Sequence, residues 1–230
     1  MISAFLASMG QLFRDRREAG RELVKHLAAY AHRSDVVILG LPRGGVPVGY
    51  EIAQGLQVPL DILIVRKLGV PGHEELAMGA IASGGIRVLH DEVIQAAGLP
   101  EFVIDQVTAE EQKELLRREQ EYRGERPRLS IEDRIVVLVD DGLATGSTMR
   151  AAIAAVRQRH PSKVVVAVPV AAPETCAELK AEADEIHCAR TPAFFFGVGQ
   201  WYQDFSQTSD EEVRALLQVA TGMSEVKQWH

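Results

Sequence analysis

Apolar residues in this chain fall into short unbroken runs separated by stretches with helical spacing. Residues 36–39, 135–139 and 164–170 are Val/Ile/Leu-rich, and each reads as a strand buried on both faces of a parallel sheet. Between them, Val48, Ile52 and Leu56, and later Met149, Ile153 and Val156, form the apolar stripes of amphipathic helices. Leu23, Leu27 and Tyr30 mark an earlier helix, with Arg14, Arg16 and Arg17 read as its solvated face. Residues 60–65 form a further strand closed by Arg66 and Lys67. Residues 79–82 and 86–89 predict a hairpin around Ser83-Gly84-Gly85. A short helix follows over 91–97 and a long one over 102–122, its charged run from Glu110 to Glu119 read as a solvated face. Pro173 opens a helix to 183, and 185–187 form a short strand. This alternation predicts an α/β fold: one doubly wound, mainly parallel sheet.

The strand ends carry the candidate chemistry. After residues 135–139 come Asp140 and Asp141, then Gly142, Leu143, Ala144, Thr145, Gly146, Ser147 and Thr148 at the start of a helix. Helix N-terminal amides are unpaired donors with partial positive charge, and small residues let a phosphate approach them. Two carboxylates beside such a cradle would repel a bare phosphate but accept hydrogen bonds from a cis-diol, so a sugar phosphate satisfies both halves. The stretch has neither the Gly-Lys-Ser/Thr of a P-loop nor the GxGxxG of a dinucleotide site. Arg43, Gly44 and Gly45 follow the strand at 36–39, where they form either a second anion-binding turn or a plain strand-to-helix turn. Arg66 and Lys67 would balance a pyrophosphate or stand as a solvated pair. Residues 68–79 are polar and Gly/Pro-rich, the composition of a mobile lid, and include His73, Glu74 and Glu75.

The motif VVLVDDGLATGSTM resembles the phosphoribosyl pyrophosphate signature of the type I phosphoribosyltransferases. The resemblance implies that Asp140 and Asp141 hold the ribose hydroxyls and that residues 143–148 hold the 5′-phosphate. It implies that the Arg43-Gly44-Gly45 loop holds pyrophosphate, often through unusual backbone geometry, and that a flexible loop near 68–79 covers the ligand. Openings similar to residues 13–24 are common near the start of this family. Residues 191–205 resemble the hood of hypoxanthine-guanine phosphoribosyltransferases, with Phe194 in the base-stacking position. Trp201 stands where that subfamily has a metal-binding Asp, Ala193 where it has a base-reading Lys, and Ala144 where it has an acid/base Asp. These departures argue against a 6-oxopurine acceptor. The implied function is transfer of a phosphoribosyl group from phosphoribosyl pyrophosphate to a nitrogenous acceptor. Mg²⁺ held mainly by substrate oxygens is the implied cofactor; Arg66 and Lys67 stabilise the leaving group, and Asp141 orients the ribose. Phe194 and Trp201 are the candidate acceptor contacts, although aromatics beside glycines serve equally as subdomain packing. The alternative is a non-catalytic sensor of phosphoribosyl pyrophosphate or a nucleotide.

Composition bounds these expectations. The chain has 230 residues, 47% of them hydrophobic, enough for one sizeable core. It is expected to divide into a core over 1–190, with a helical insertion at about 91–127, and a C-terminal hood or tail over 191–230. A net charge of −7 argues against a nucleic-acid partner. No apolar run reaches bilayer length, and the apolar opening over residues 1–7 lacks the preceding basic residues of a secretory signal. A cytoplasmic, membrane-free protein is the expectation, with a homodimer as its expected assembly. Cys176 and Cys188 read as buried or idle thiols.

Overall fold

A computed structural model describes residues 12–226; the apolar opening over 1–7 lies outside them. The central strands are β1 (Val36–Gly40), β2 (Leu60–Ile62), β6 (Ile135–Val139), β7 (Lys163–Val170) and β8 (Glu185–Arg190). These five form a parallel sheet in the order β2-β1-β6-β7-β8. The period of two divides their side chains between two cores. Ile38, Val137, Val139, Val165 and Ala167 face one core, and Val37, Leu39, Val136, Leu138, Val164 and Val166 the other.

Helices cover both faces. On the first lie α1 (Arg16–His26), α2 (Gly45–Leu56) and α7 (Asp210–Val226), contributing Leu23, Val48, Ile52, Val213 and Leu217. On the second lie α5 (Ser147–Arg157), with Met149, Ile153 and Val156, and α6 (Pro173–Leu179), with Leu179. The doubly wound α/β fold is therefore present, and α6 stops at Leu179 rather than 183.

The region between β2 and β6 differs from the expectation. Residues 60–65 are not one strand. The chain leaves the parallel sheet after Ile62, and Ile64 exchanges bonds with Ser83 instead: Ile64 N–H donates to Ser83 Oγ (3.1 Å) and Ser83 N–H to the Ile64 carbonyl (2.9 Å). Arg66 and Lys67 thus lie inside β3 (Val65–Val70), not at the carboxyl end of a central strand. Antiparallel pairing joins β3 to β4 (His73–Ala82), and β4 to β5 (Ile86–Leu89). The segment read as a mobile lid over 68–79 lies in a hairpin turning at Pro71-Gly72, with Gly72 at φ +81°. Its Gly/Pro content masked a buried set, Leu68, Val70 and Met78, that ties the hairpin base to the first core; residues 73–76 at the tip are exposed.

The stretch expected to be a helical insertion folds as α3 (Asp91–Ala96) and α4 (Glu101–Arg123). An ion pair anchors the end of α4 to β2, with Arg123 Nη1 2.7 Å from Asp61 Oδ1 and both side chains about one-tenth exposed. Residues 191–205 return across the N-terminal segment. Phe13 N–H donates to the Trp201 carbonyl (2.9 Å), and Gln203 N–H to the Phe13 carbonyl (2.8 Å). Phe13, Ala19, Val170, Trp201 and Tyr202 form a third small core there.

Candidate active site

Parallel strands aim their carboxyl ends at one edge of a sheet, and there the loops after β1 and β6 meet. The loop after β6 is stitched to β7: Leu143 N–H donates to the Val170 carbonyl (2.9 Å) and Ala172 N–H to the Leu143 carbonyl (3.0 Å). Thr175 Oγ1 of α6 donates to the Ala144 carbonyl (2.6 Å), and Arg150 Nη1 to the Thr145 carbonyl (3.0 Å). Gly146, at φ +70°, makes the turn into α5, and a Cβ there would press on the Thr175 methyl group. The first turn of α5 holds no acidic residue and no side chain caps it. Ser147 N–H reaches only Thr145 Oγ1, at 3.5 Å, and the amides after it are left as donors toward the edge, beside exposed Ala144, Thr145 and Thr148 and half-buried Ser147.

The loop after β1 leans directly on the acid pair. Leu41 N–H donates to the Val139 carbonyl (2.8 Å), and the Pro42–Arg43 peptide is cis, the kind of unusual geometry the resemblance implied. A Cβ on Gly44 would collide with the Asp141 carboxylate, and one on Gly45 with the Val139 carbonyl. Glycine at both positions is therefore a packing requirement between the two loops.

Asp140 Oδ1 accepts from Asp141 N–H (2.9 Å), and Asp141 Oδ2 accepts from Arg16 Nε (2.8 Å). Burial pushes both carboxyls above the usual range; Asp141 adds to the rise at Asp140, and Arg16 opposes it at both. Arg16 is not on a solvated face as expected. Its side chain is 12% exposed, its guanidinium lies 4.1 Å from the Phe205 ring centre, and Nη1 donates to the Ser206 carbonyl (2.7 Å). Tyr202 Oη donates to the Asp141 carbonyl (2.6 Å), and burial with the nearby Asp141 charge pushes the phenol well up. Arg16, Tyr202 and Phe205 are the site residues sequence reasoning missed. Each sits far from residues 140–148 in the chain, and no local pattern joins them.

The other candidates spread out. Arg43 lies 3.7 Å from Asp210, which also accepts from Tyr122 Oη (2.6 Å). Arg66 Nε pairs with Glu111 of α4 (2.6 Å). Arg66 and Lys67 line a groove of about 610 Å³ with Pro71, Glu74, Val107 and Glu110, to which no residue of 140–148 contributes. The tail aromatics divide. Phe194 is 58% exposed, whereas Trp201 is 2% exposed and packed in the small core, so its ring does not face a cleft. Val198 lies over Gly142, where a Cβ would strike it, so the tail abuts the loop after β6.

A family model described as the phosphoribosyl transferase domain matches residues 12–204. The chain belongs to that family. Proteins of two Mycobacterium tuberculosis strains, CDC 1551 / Oshkosh and ATCC 25618 / H37Rv, both named as phosphoribosyl transferases, are 49% identical over 207 residues. The match spans 90% of this chain but 46% of theirs, so the chain spans about half the length of these relatives. The crystal structure of TT1426 from Thermus thermophilus superposes with a TM-score of 0.81 at 44% identity, over 90% of this chain and 97% of that one. This phosphoribosyl transferase domain thus holds its signature loop, its glycine loop and an N-terminal arginine at one sheet edge. Among its described residues, no helix is long and apolar enough to cross a membrane.

Proposed function

We propose that this domain transfers a phosphoribosyl group from phosphoribosyl pyrophosphate to a small nitrogenous acceptor, releasing pyrophosphate. The observation that carries the reading is the packing of the Asp140–Asp141 pair against Gly44-Gly45 beside the uncapped start of α5. Asp140 and Asp141 accept hydrogen bonds from the ribose hydroxyls. Amides and hydroxyls of residues 142–148 receive the 5′-phosphate, and the Arg43-Gly44-Gly45 loop receives the pyrophosphate. The C1–O bond breaks with its electron pair leaving on pyrophosphate, the acceptor nitrogen bonds to C1, and a proton leaves that nitrogen. Electrostatic stabilisation of the leaving charge is the main contribution asked of the Arg43-Gly44-Gly45 loop. Residues 191–205 act as a hood, with exposed Phe194 stacking on the acceptor.

The donor set tests the fit of Mg²⁺. Asp141 is engaged by Arg16, leaving Asp140 as the carboxylate that would hold the ion. Among the described residues, no group of three or more His, Cys, Asp or Glu could cage a metal. That set fits an ion held mainly by donor oxygens and water. Bound with the donor, Mg²⁺ supplies charge neutralisation on the pyrophosphate.

One observation favours a second reading, a non-catalytic sensor of the same ligand. Arg66 is paired with Glu111, and Arg43 lies near Asp210, so two cations assigned to the leaving group face carboxylates. Pyrophosphate release measured with the donor and a panel of nitrogenous bases, alongside titration calorimetry of the donor, separates the two. Release with any base supports the transferase, and binding without release supports the sensor. Donor affinity unchanged in Asp141→Asn would overturn both.

A further inference from the structure

Behind the loop after β6, two thiols from different elements lie side by side. Cys176 belongs to α6 and Cys188 to β8, and their Sγ atoms are 2.7 Å apart. Both are free and half-buried, packed against the second core. A disulfide places its sulfurs about 2.05 Å apart, so bonding asks the two atoms to close by about 0.7 Å. The loop connecting them is short, and Cys176 N–H is already fixed to the Ala172 carbonyl (3.0 Å).

We propose that Cys176 and Cys188 form a reversible oxidative modification site, closing to an intrachain disulfide under a two-electron oxidant such as hydrogen peroxide. One thiol attacks the peroxide, giving a sulfenic acid and one water. The second thiol then displaces the sulfenic oxygen, forming the S–S bond and releasing a second water. Two thiols and one peroxide thus yield one disulfide and two waters.

The site reaches beyond the two sulfurs through α6. Thr175, next to Cys176, donates to the Ala144 carbonyl and places its methyl group beneath Gly146. The helix is a strut between the thiol pair and the turn that opens α5. A bond to β8 ties α6 to the sheet at Cys176, while Thr175, the residue before it, keeps its hold on Ala144.

The test uses the full chain, reduced and then treated with hydrogen peroxide. The expected product loses two hydrogens in intact mass. Trypsin then yields fragments 164–180 and 181–190 joined to one another, and the joined species vanishes with dithiothreitol. Closing so short a loop should raise Tm by about 6–12 °C, and the rise should be absent in Cys176→Ser and in Cys188→Ser. Oxygen uptake without linkage, linkage between two chains, or an oxidised protein no more heat-stable than the reduced one would each overturn the proposal. Either serine variant alone suffices as control should the other fail to fold.

Discussion

Replacing Arg16 with Ala isolates the contact on which the acid pair rests. The change removes a guanidinium 2.8 Å from Asp141 while leaving a carboxylate whose side chain is 16% exposed. Breaking a fully buried pair by deleting one partner costs about 3–5 kcal/mol. Residual exposure at both ends places this one near the lower bound, about 3 kcal/mol. The lost stacking on Phe205 adds on the order of 1 kcal/mol. For a domain of this size, Tm should fall by roughly 8–16 °C. The pH dependence carries the sharper test. Without Arg16 the Asp141 carboxyl rises further above its usual range, and the penalty exists only while that carboxylate is ionised. The stability gap between wild type and Arg16→Ala should therefore be full near neutrality and shrink, as pH falls through the raised pKa, to the part lost with the Phe205 stacking. Arg16→Lys should recover part of the gap, since it restores charge but not the planar stacking. Thermal unfolding from pH 4 to 8 measures this directly. A gap that stays constant across that range would show that Arg16 acts through packing alone, refuting the electrostatic argument.

Three further outcomes follow from the geometry. Burial holds the pair's folded pKa values above the unfolded carboxylate value, so these groups cost stability as pH rises from about 4 through the folded pKa. Asp140→Asn should therefore raise Tm at pH 7 while weakening donor binding; a lower Tm at pH 7 would contradict the sign. Gly44→Ala puts a methyl group into the Asp141 carboxylate, so calorimetry should show donor affinity at least tenfold weaker, and unchanged affinity would mean the two loops do not form one site. Asp61→Ala strands Arg123, whose Nε already has no partner. Denaturant unfolding should show a loss of about 3–5 kcal/mol, and a loss under about 1 kcal/mol would mean the Arg123–Asp61 pair does not anchor α4.

Local information sufficed for the parallel sheet, the helices α1, α2, α5 and α6 and the signature loop, whereas α7, which also covers the first face, lay in a stretch read only as a hood or tail. Unbroken Val/Ile runs can satisfy themselves only when both faces are covered, and Gly142 to Thr148 encode a turn and a helix start within a few residues. Tertiary packing decided the rest. Residues 60–65 read as one strand because hydrophobicity does not reveal that Ile64 finds its partner in Ser83, nineteen positions away. The hairpin at 65–82 was hidden because its ladder is set by cross-strand pairing, whereas its composition is that of a loop. Arg16 looked like one more surface cation until folding set it beside Asp141, 125 residues along the chain, under an aromatic from the tail. Local patterns report what a segment can do alone; which charge neutralises which is settled by long-range contacts that no window of sequence contains.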